Sequence, residues 1–251
     1  MWAVTGTLVI LRHGESTWNQ QNLFTGWHDV PLTPKGAAEA TVAGHTIAAD
    51  GMRFDVAHTS LLDRAVVTCQ LALEAMDQVS LPVQRHWRLN ERHYGALQGL
   101  DKKATTALHG AEQTHLWRRS YDVPPPPVNT DSPEHPINDP RYRLLPPDVL
   151  PATECLADVV ARVLPYWHDV VAPQLLAGLN VLVVAHGNSL RALLMRLEGV
   201  SREAIAELNI PTGAPRRYRF DGALRVTSAE YLGDQQAIAA AAAQVAAQSR
   251  A

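Results

Sequence analysis

The chain has 251 residues, 46% hydrophobic and 19% charged, an ordinary globular composition with enough length for one large core. Its net charge of −3 and pI near 6.4 leave no general basic field, which argues against sequence-independent nucleic-acid binding and means that an anionic ligand must be held by local positive charge. No apolar run approaches the roughly 18 residues of a spanning helix, and the start of the chain lacks the pattern of a secretory leader. Cys69 and Cys155 have neither the density of a disulfide scaffold nor the paired spacing of a zinc site. A cytoplasmic protein with two reduced thiols and no membrane or nucleic-acid partner is expected.

In chain order, Thr7 to Leu11 is a short apolar run stopped by Arg12-His13-Gly14, and it reads as a buried strand. Thr33-Pro34 supplies an N-cap and a favoured first helical residue, and the alanine-rich stretch that follows ends at Asp50-Gly51, so a helix is predicted. Asp55 to Thr59 gives a second strand, Leu61 to Met76 a second helix with Leu62, Ala65, Val66 and Leu73 at helical spacing, and Val83 to Trp87 another extended piece. The alternation then breaks. Ten of the 17 prolines fall between Pro124 and Pro151, so that stretch is not expected to form regular structure. A capped helix is predicted from about Thr153 through Leu164, with a bend or stop at Pro165. The β-branched run Asn180 to Ala185 suits a strand covered on both faces. A helix from Ser189, a short hairpin near Arg217 to Val226 and an alanine-rich tail after Asp234 complete the chain. The tail has high helix propensity but little apolar bulk to anchor it, and it is expected to be mobile.

This order predicts an α/β fold, a mainly parallel central sheet with helices on both faces in a three-layer sandwich. The long proline-rich insertion would lie over the carboxyl edge of the sheet, where ligands gather. One domain is expected over residues 1–251, with 88–152 as an active-site insertion and 234–251 as the tail. One local pattern recurs: an apolar strand followed by His-Gly, at Leu11-Arg12-His13-Gly14 and at Val184-Ala185-His186-Gly187. If the two strands are parallel neighbours, both imidazoles meet at one sheet edge.

A lone histidine after a strand is more often structural than catalytic, but two such units beside arginines suit phosphoryl chemistry. Glycine lets main-chain N–H groups approach a ligand closely. Arg12 beside His13 disfavours imidazolium and keeps the ring neutral and nucleophilic. Charge developing on a transferring phosphoryl group must be met by positioned cations, and arginine binds phosphate or carboxylate through a planar fork. Arg64 stands at a strand-to-helix junction, and Arg118-Arg119 precede the proline-rich stretch. From Arg85 to Arg119 seven Lys and Arg face three acids, although a solvated helix face would have the same charge pattern. Proton transfer needs an acid or base as well. Glu91, in Leu89-Asn90-Glu91-Arg92-His93-Tyr94-Gly95, is the candidate, against the alternative of an ordinary exposed glutamate. No His-Glu-x-x-His or Cys-x-x-Cys spacing suggests a metal.

Leu11-Arg12-His13-Gly14-Glu15-Ser16, with Trp18-Asn19 following, resembles the signature of the histidine phosphatase superfamily. Phe24-Thr25-Gly26-Trp27, Arg88 through Gly95, Arg118-Arg119-Ser120-Tyr121-Asp122 and Ala185-His186-Gly187-Asn188-Ser189 narrow the resemblance to the cofactor-dependent phosphoglycerate mutases. The resemblance implies that His13 carries the phosphoryl group, that Glu91 donates and accepts the proton, and that Arg12, Arg64 and His186 hold the group in transfer. It further implies substrate contacts from Ser16, Asn19, Thr25, Gly26, Arg92, Tyr94, Lys102, Arg118, Arg119, Gly187 and Asn188. The implied reaction interconverts 3-phosphoglycerate and 2-phosphoglycerate in glycolysis and gluconeogenesis, primed by 2,3-bisphosphoglycerate and without metal, in a homodimer or homotetramer.

The chain departs from that pattern in three places. Lys103-Ala104-Thr105 alters the charge near Lys102, Cys155 stands where serine is common, and the tail is rich in alanine and glutamine. A phosphatase on the same scaffold and a non-catalytic phosphate-binding module are the competing readings. The long excursion after Arg88 argues against the first, since a hydrolase need not keep an intermediate from water. The joint presence of His13, His186 and Glu91 argues against the second, for which arginines alone would suffice.

Overall fold

The computed structural model describes residues 5–250, so residues 1–4 and 251 of the expected domain span lie outside the described part. The strands are β1 (Leu8–Arg12), β2 (Val56–Thr59), β3 (Val83–Arg85), β4 (Val181–Ala185), β5 (Arg216–Phe220) and β6 (Val226–Tyr231). The helices are α1 (Thr17–Gln20), α2 (Pro34–Ala49), α3 (Asp63–Ala75), α4 (Lys102–His109), α5 (Ala111–Arg119), α6 (Leu156–Tyr166), α7 (Ala172–Leu176), α8 (Gly187–Glu198) and α9 (Gln235–Arg250). The strands form one sheet in the order β3-β2-β4-β1-β5-β6. The first four run parallel, and β5 and β6 add an antiparallel edge, so the predicted hairpin is present and longer than expected.

Alternation along β1 and β4 decides which side chain enters which layer. Leu8, Ile10, Val181 and Val183 join a core with Val159 and Val163 of α6 and Leu190 and Leu194 of α8. Val9, Leu11, Leu182 and Val184 face the other way, onto Ala43 and Ile47 of α2 and Cys69, Ala72 and Leu73 of α3. Every residue of β4 is buried, as a strand covered on both faces must be. This double burial fixes the register, because a slip by one residue would exchange the two layers. The register places Arg12 opposite Ala185, so both strands end level and hand their histidines to the same edge.

The segment 88–152 contains two helices, α4 and α5, ahead of the irregular stretch. The proline-rich part itself forms only 3₁₀ turns, at Pro136–Asn138, Pro140–Tyr142 and Pro147–Val149. Two boundaries predicted from the sequence differ in the structure, and both lie in α6. Helix α6 starts three residues later than predicted, because Cys155 is its N-cap and the Asp158 carboxylate accepts the Cys155 backbone N–H at 2.8 Å. That contact makes Cys155 part of the cap. Pro165 does not end the helix, which continues into a π turn at Trp167–Val171 and then α7. The turn lies between Pro165 and Pro173, each of which removes a backbone donor, and widening the spiral absorbs the loss.

Candidate active site

β1 and β4 deliver His13 and His186 with ring centroids 5.0 Å apart and planes tilted by 58°. His13 is 2% exposed and its Nδ1 lies 2.7 Å from the Gly14 carbonyl oxygen. A carbonyl can only accept, so Nδ1 carries the proton and a neutral ring presents Nε2 as the bare, nucleophilic nitrogen. Burial first, then the Arg64 and Arg12 guanidiniums, hold His13 well below the ordinary histidine value. Sequence reasoning had credited Arg12 alone. His186 is fully buried, sits 2.7 Å by its Nε2 from Ser60 Oγ, and is held low by burial and by Arg64.

The arginines are aimed by carbonyls. Arg64, in the first turn of α3, donates Nη2 to Gly26 O at 2.7 Å and Nη1 to His28 O at 3.1 Å. Burial brings it down to about 10, still charged at neutral pH. Gly26 is required here: its φ of +61° is left-handed, and a Cβ would stand 2.0 Å from Gln98 Oε1. Arg12 donates Nη1 to Ile210 O at 2.7 Å, while its buried Nε has no acceptor among the described residues. Such an orphaned donor next to His13 fits an anionic ligand.

Glu91 follows the 3₁₀ turn Trp87–Leu89, and its Oε1 accepts the Arg92 N–H at 2.8 Å and the Asn188 N–H at 3.0 Å. The second of these comes from the first turn of α8, where the helix dipole favours a carboxylate. At Gly187 a Cβ would lie 3.5 Å from Glu91 Oε2 and 3.8 Å from Arg12 Cζ, so glycine keeps the space between acid and cation open. These groups border a cavity of about 120 Å³, completed by Asn19 of α1, Thr25 and Gly26 of the following loop, and Tyr94. Lys102 from the start of α4, Arg118 and Arg119 from the end of α5, and Asn188 also line it. Burial, with Arg118 and Arg12 adding repulsion, pushes Lys102 down to about 8. Burial would raise Tyr94, but Arg92 and Lys102 outweigh it and bring the phenol to about 8.

Three residues of the expected set do not border the cavity. Ser16 caps α1, accepting the Asn19 N–H at 3.2 Å. Arg92 is fully buried, donates to Arg118 O at 2.9 Å and stacks its guanidinium 4.4 Å from the Tyr94 ring centre. His186 packs against the His13 ring without lining the cavity. Conversely, Arg191, Leu208, Asn209, Ile210 and Val245 border the cavity without having been anticipated. Arg191 donates to Asn188 Oδ1 at 3.0 Å, and Asn209 Oδ1 accepts from Arg119 at 2.8 Å, so both act by fixing other wall residues. They come from a helix interior and a loop, and no local sequence signal marks them.

Two imidazoles held neutral beside buried cations, with one carboxylate at hand, form an arrangement that suits phosphoryl chemistry. The model of the histidine phosphatase superfamily, branch 1, matches residues 8–227. A 2,3-bisphosphoglycerate-dependent phosphoglycerate mutase of Nitratidesulfovibrio vulgaris strain DP4 is 58% identical over 97% of both chains. Among solved structures, phosphoglycerate mutase of Bacillus anthracis superposes with a TM-score of 0.67 at 22% identity, covering 95% of this chain and 97% of that one. The α-ribazole phosphatase of Shigella flexneri gives a TM-score of 0.65 at 24% identity, over 91% and 96% of the two chains. At those identities the structures speak for the fold alone. The chain belongs to the histidine phosphatase superfamily and, within it, to the family of 2,3-bisphosphoglycerate-dependent phosphoglycerate mutases.

Proposed function

We propose that the chain interconverts 3-phosphoglycerate and 2-phosphoglycerate, an isomerase of glycolysis and gluconeogenesis working through a phosphohistidine at His13. The observation that carries this reading is the Nδ1–H bond from His13 to the Gly14 carbonyl inside a cationic cavity, joined to 58% identity with a mutase relative. When bound, 2,3-bisphosphoglycerate supplies the priming phosphoryl group, and no metal takes part.

His13 Nε2 holds the group through a P–N bond. Arg12 and Arg64 meet the negative charge on the phosphoryl oxygens, and His186 supports the same edge. As the substrate's 2-hydroxyl attacks phosphorus, its proton passes to Glu91, the P–N bond breaks and its electron pair returns to Nε2. In the reverse transfer from the other position, Glu91 returns that proton to the departing oxygen. Lys102, Arg118, Arg119, Tyr94, Asn19, Thr25, Gly26, Gly187 and Asn188 hold the remaining phosphate and carboxylate, and the helices of 88–152 cover the site while the intermediate turns over. Keeping water out favours the mutase over a hydrolase. Residues 88–152 thus serve as an active-site insertion in one domain, and the protein works in the cytoplasm as a homodimer or homotetramer without nucleic acid or membrane. Among the described residues, no helix is long and apolar enough to cross a membrane.

The test is conversion of 3-phosphoglycerate to 2-phosphoglycerate by the purified protein in chelator, with and without catalytic bisphosphoglycerate. Bisphosphoglycerate-dependent turnover that disappears in His13→Ala is expected. Release of inorganic phosphate without isomerisation would replace the reading with a phosphatase, and inertness of the native protein would leave a binding module.

A further inference from the structure

Glu91 belongs to a turn and an irregular segment, where local backbone structure alone fixes little. That segment is gripped from outside the cavity. Arg162, on α6, is 7% exposed, and its Nη1 donates to Arg88 O at 2.7 Å and to Asn90 O at 3.1 Å. Its Nη2 donates to the Glu91 carbonyl at 2.9 Å, an oxygen that also accepts Trp27 Nε1 at 2.5 Å. The other edge of the guanidinium forms a fork with Glu154: Nε to Oε1 at 2.6 Å and Nη2 to Oε2 at 2.9 Å. Glu154 Oε2 in turn accepts the His93 N–H at 2.7 Å. The bonds therefore bracket Glu91 on both sides, and neither Arg162 nor Glu154 borders the cavity.

A buried ion pair is often no more stabilising than two apolar residues of the same volume, so stability alone is a poor reason for this one. What it supplies is a fixed path for the backbone that aims the Glu91 carboxylate. We propose that Arg162 and Glu154 are a positioning pair for the reaction, acting through Glu91 and not by touching substrate. The inference rests on the proton-transfer role of Glu91 proposed above.

A mutant cycle separates the two. Glu154→Leu with Arg162→Met replaces the pair by apolar side chains, Arg162→Lys keeps the charge but not the fork, and each is made with and without Glu91→Gln. Glu91→Gln alone should lower kcat by about 10²–10⁴-fold. The pair variants should lower it by roughly 10²-fold, the cost of a small misplacement, with the KM for 3-phosphoglycerate nearly unchanged. The apolar variant also orphans the backbone groups that the pair serves, so its melting temperature should fall, whereas a merely structural role would not tie the kcat loss to Glu91. In combination, the losses should fail to multiply, because one group is being disabled twice. Losses that multiply, or pair variants with native kcat, would overturn the inference. Full activity of Glu91→Gln would instead remove the proton-transfer reading on which it stands. If the apolar variant does not fold, the Lys variant decides by the same cycle.

Discussion

Lys102 and Tyr94 both line the cavity, and each is brought to about 8. Above that pH the lysine loses a positive charge and the phenol gains a negative one, so both changes weaken the hold on an anion. The KM for phosphoglycerate should rise as pH passes through about 8 while kcat changes less, and Lys102→Met or Tyr94→Phe should each flatten part of that rise in initial-rate measurements. Gly187 offers a different test. An added methyl meets Glu91 and Arg12 at ordinary contact distance, so Gly187→Ala should fold with a native melting temperature, yet fill substrate space and raise KM by roughly 10-fold. At this scale much was legible: strand-His-Gly, an arginine beside the histidine and a glutamate in a polar turn are local patterns. Arg162 and Arg191 were not. Each reads as the polar face of a helix, and its burial depends on partners such as Ile205 or Arg88 that no local spacing reveals.

Helices α4 and α5 lie in the excursion after Arg88, where sequence reasoning placed no element. Each is short and mostly polar, and each has one buried residue, Thr105 or Thr114, so the apolar stripe that announces a helix is missing. Gly110, at φ +83°, separates them. Their ends matter more than their faces, since α4 begins at Lys102 and α5 ends at Arg118-Arg119. The tail helix α9 has the opposite history. Its alanine content made a helix legible, but only the three-dimensional path brings Val245 to the cavity and Ala241 to the neighbouring cleft beside Arg12 and Lys35. Removing residues 234–251 should leave the melting temperature almost unchanged, because α9 adds little apolar bulk to the core. The ratio of phosphate release to isomerisation should rise as water reaches the site, and a native ratio would assign the tail no part in closing it.

Across the whole molecule, the parallel sheet was legible because β1 and β4 are apolar on both faces, and their level ends follow from that burial. The cost of the same design appears in acid. Burial, aided at His13 and His186 by Arg64, holds both below the ordinary 6.5, and burial brings His86 and His93 to about 4. Below 6.5 the unfolded chain takes up protons that the folded one refuses, so stability rises with pH through this window and is lost as pH falls from 6.5 toward 4. Thermal melting followed from about pH 7 to about pH 4.5 should show a falling midpoint, and a flat profile would contradict the buried neutral histidines. The central claim is narrower: His13 Nε2, bared because Nδ1 is tied to Gly14, receives the phosphoryl group. Radiolabelled 2,3-bisphosphoglycerate should leave acid-labile, alkali-stable label that digestion maps to His13 and nuclear magnetic resonance assigns to Nε2. Label on Nδ1, on another residue, or retained in His13→Ala would contradict the account.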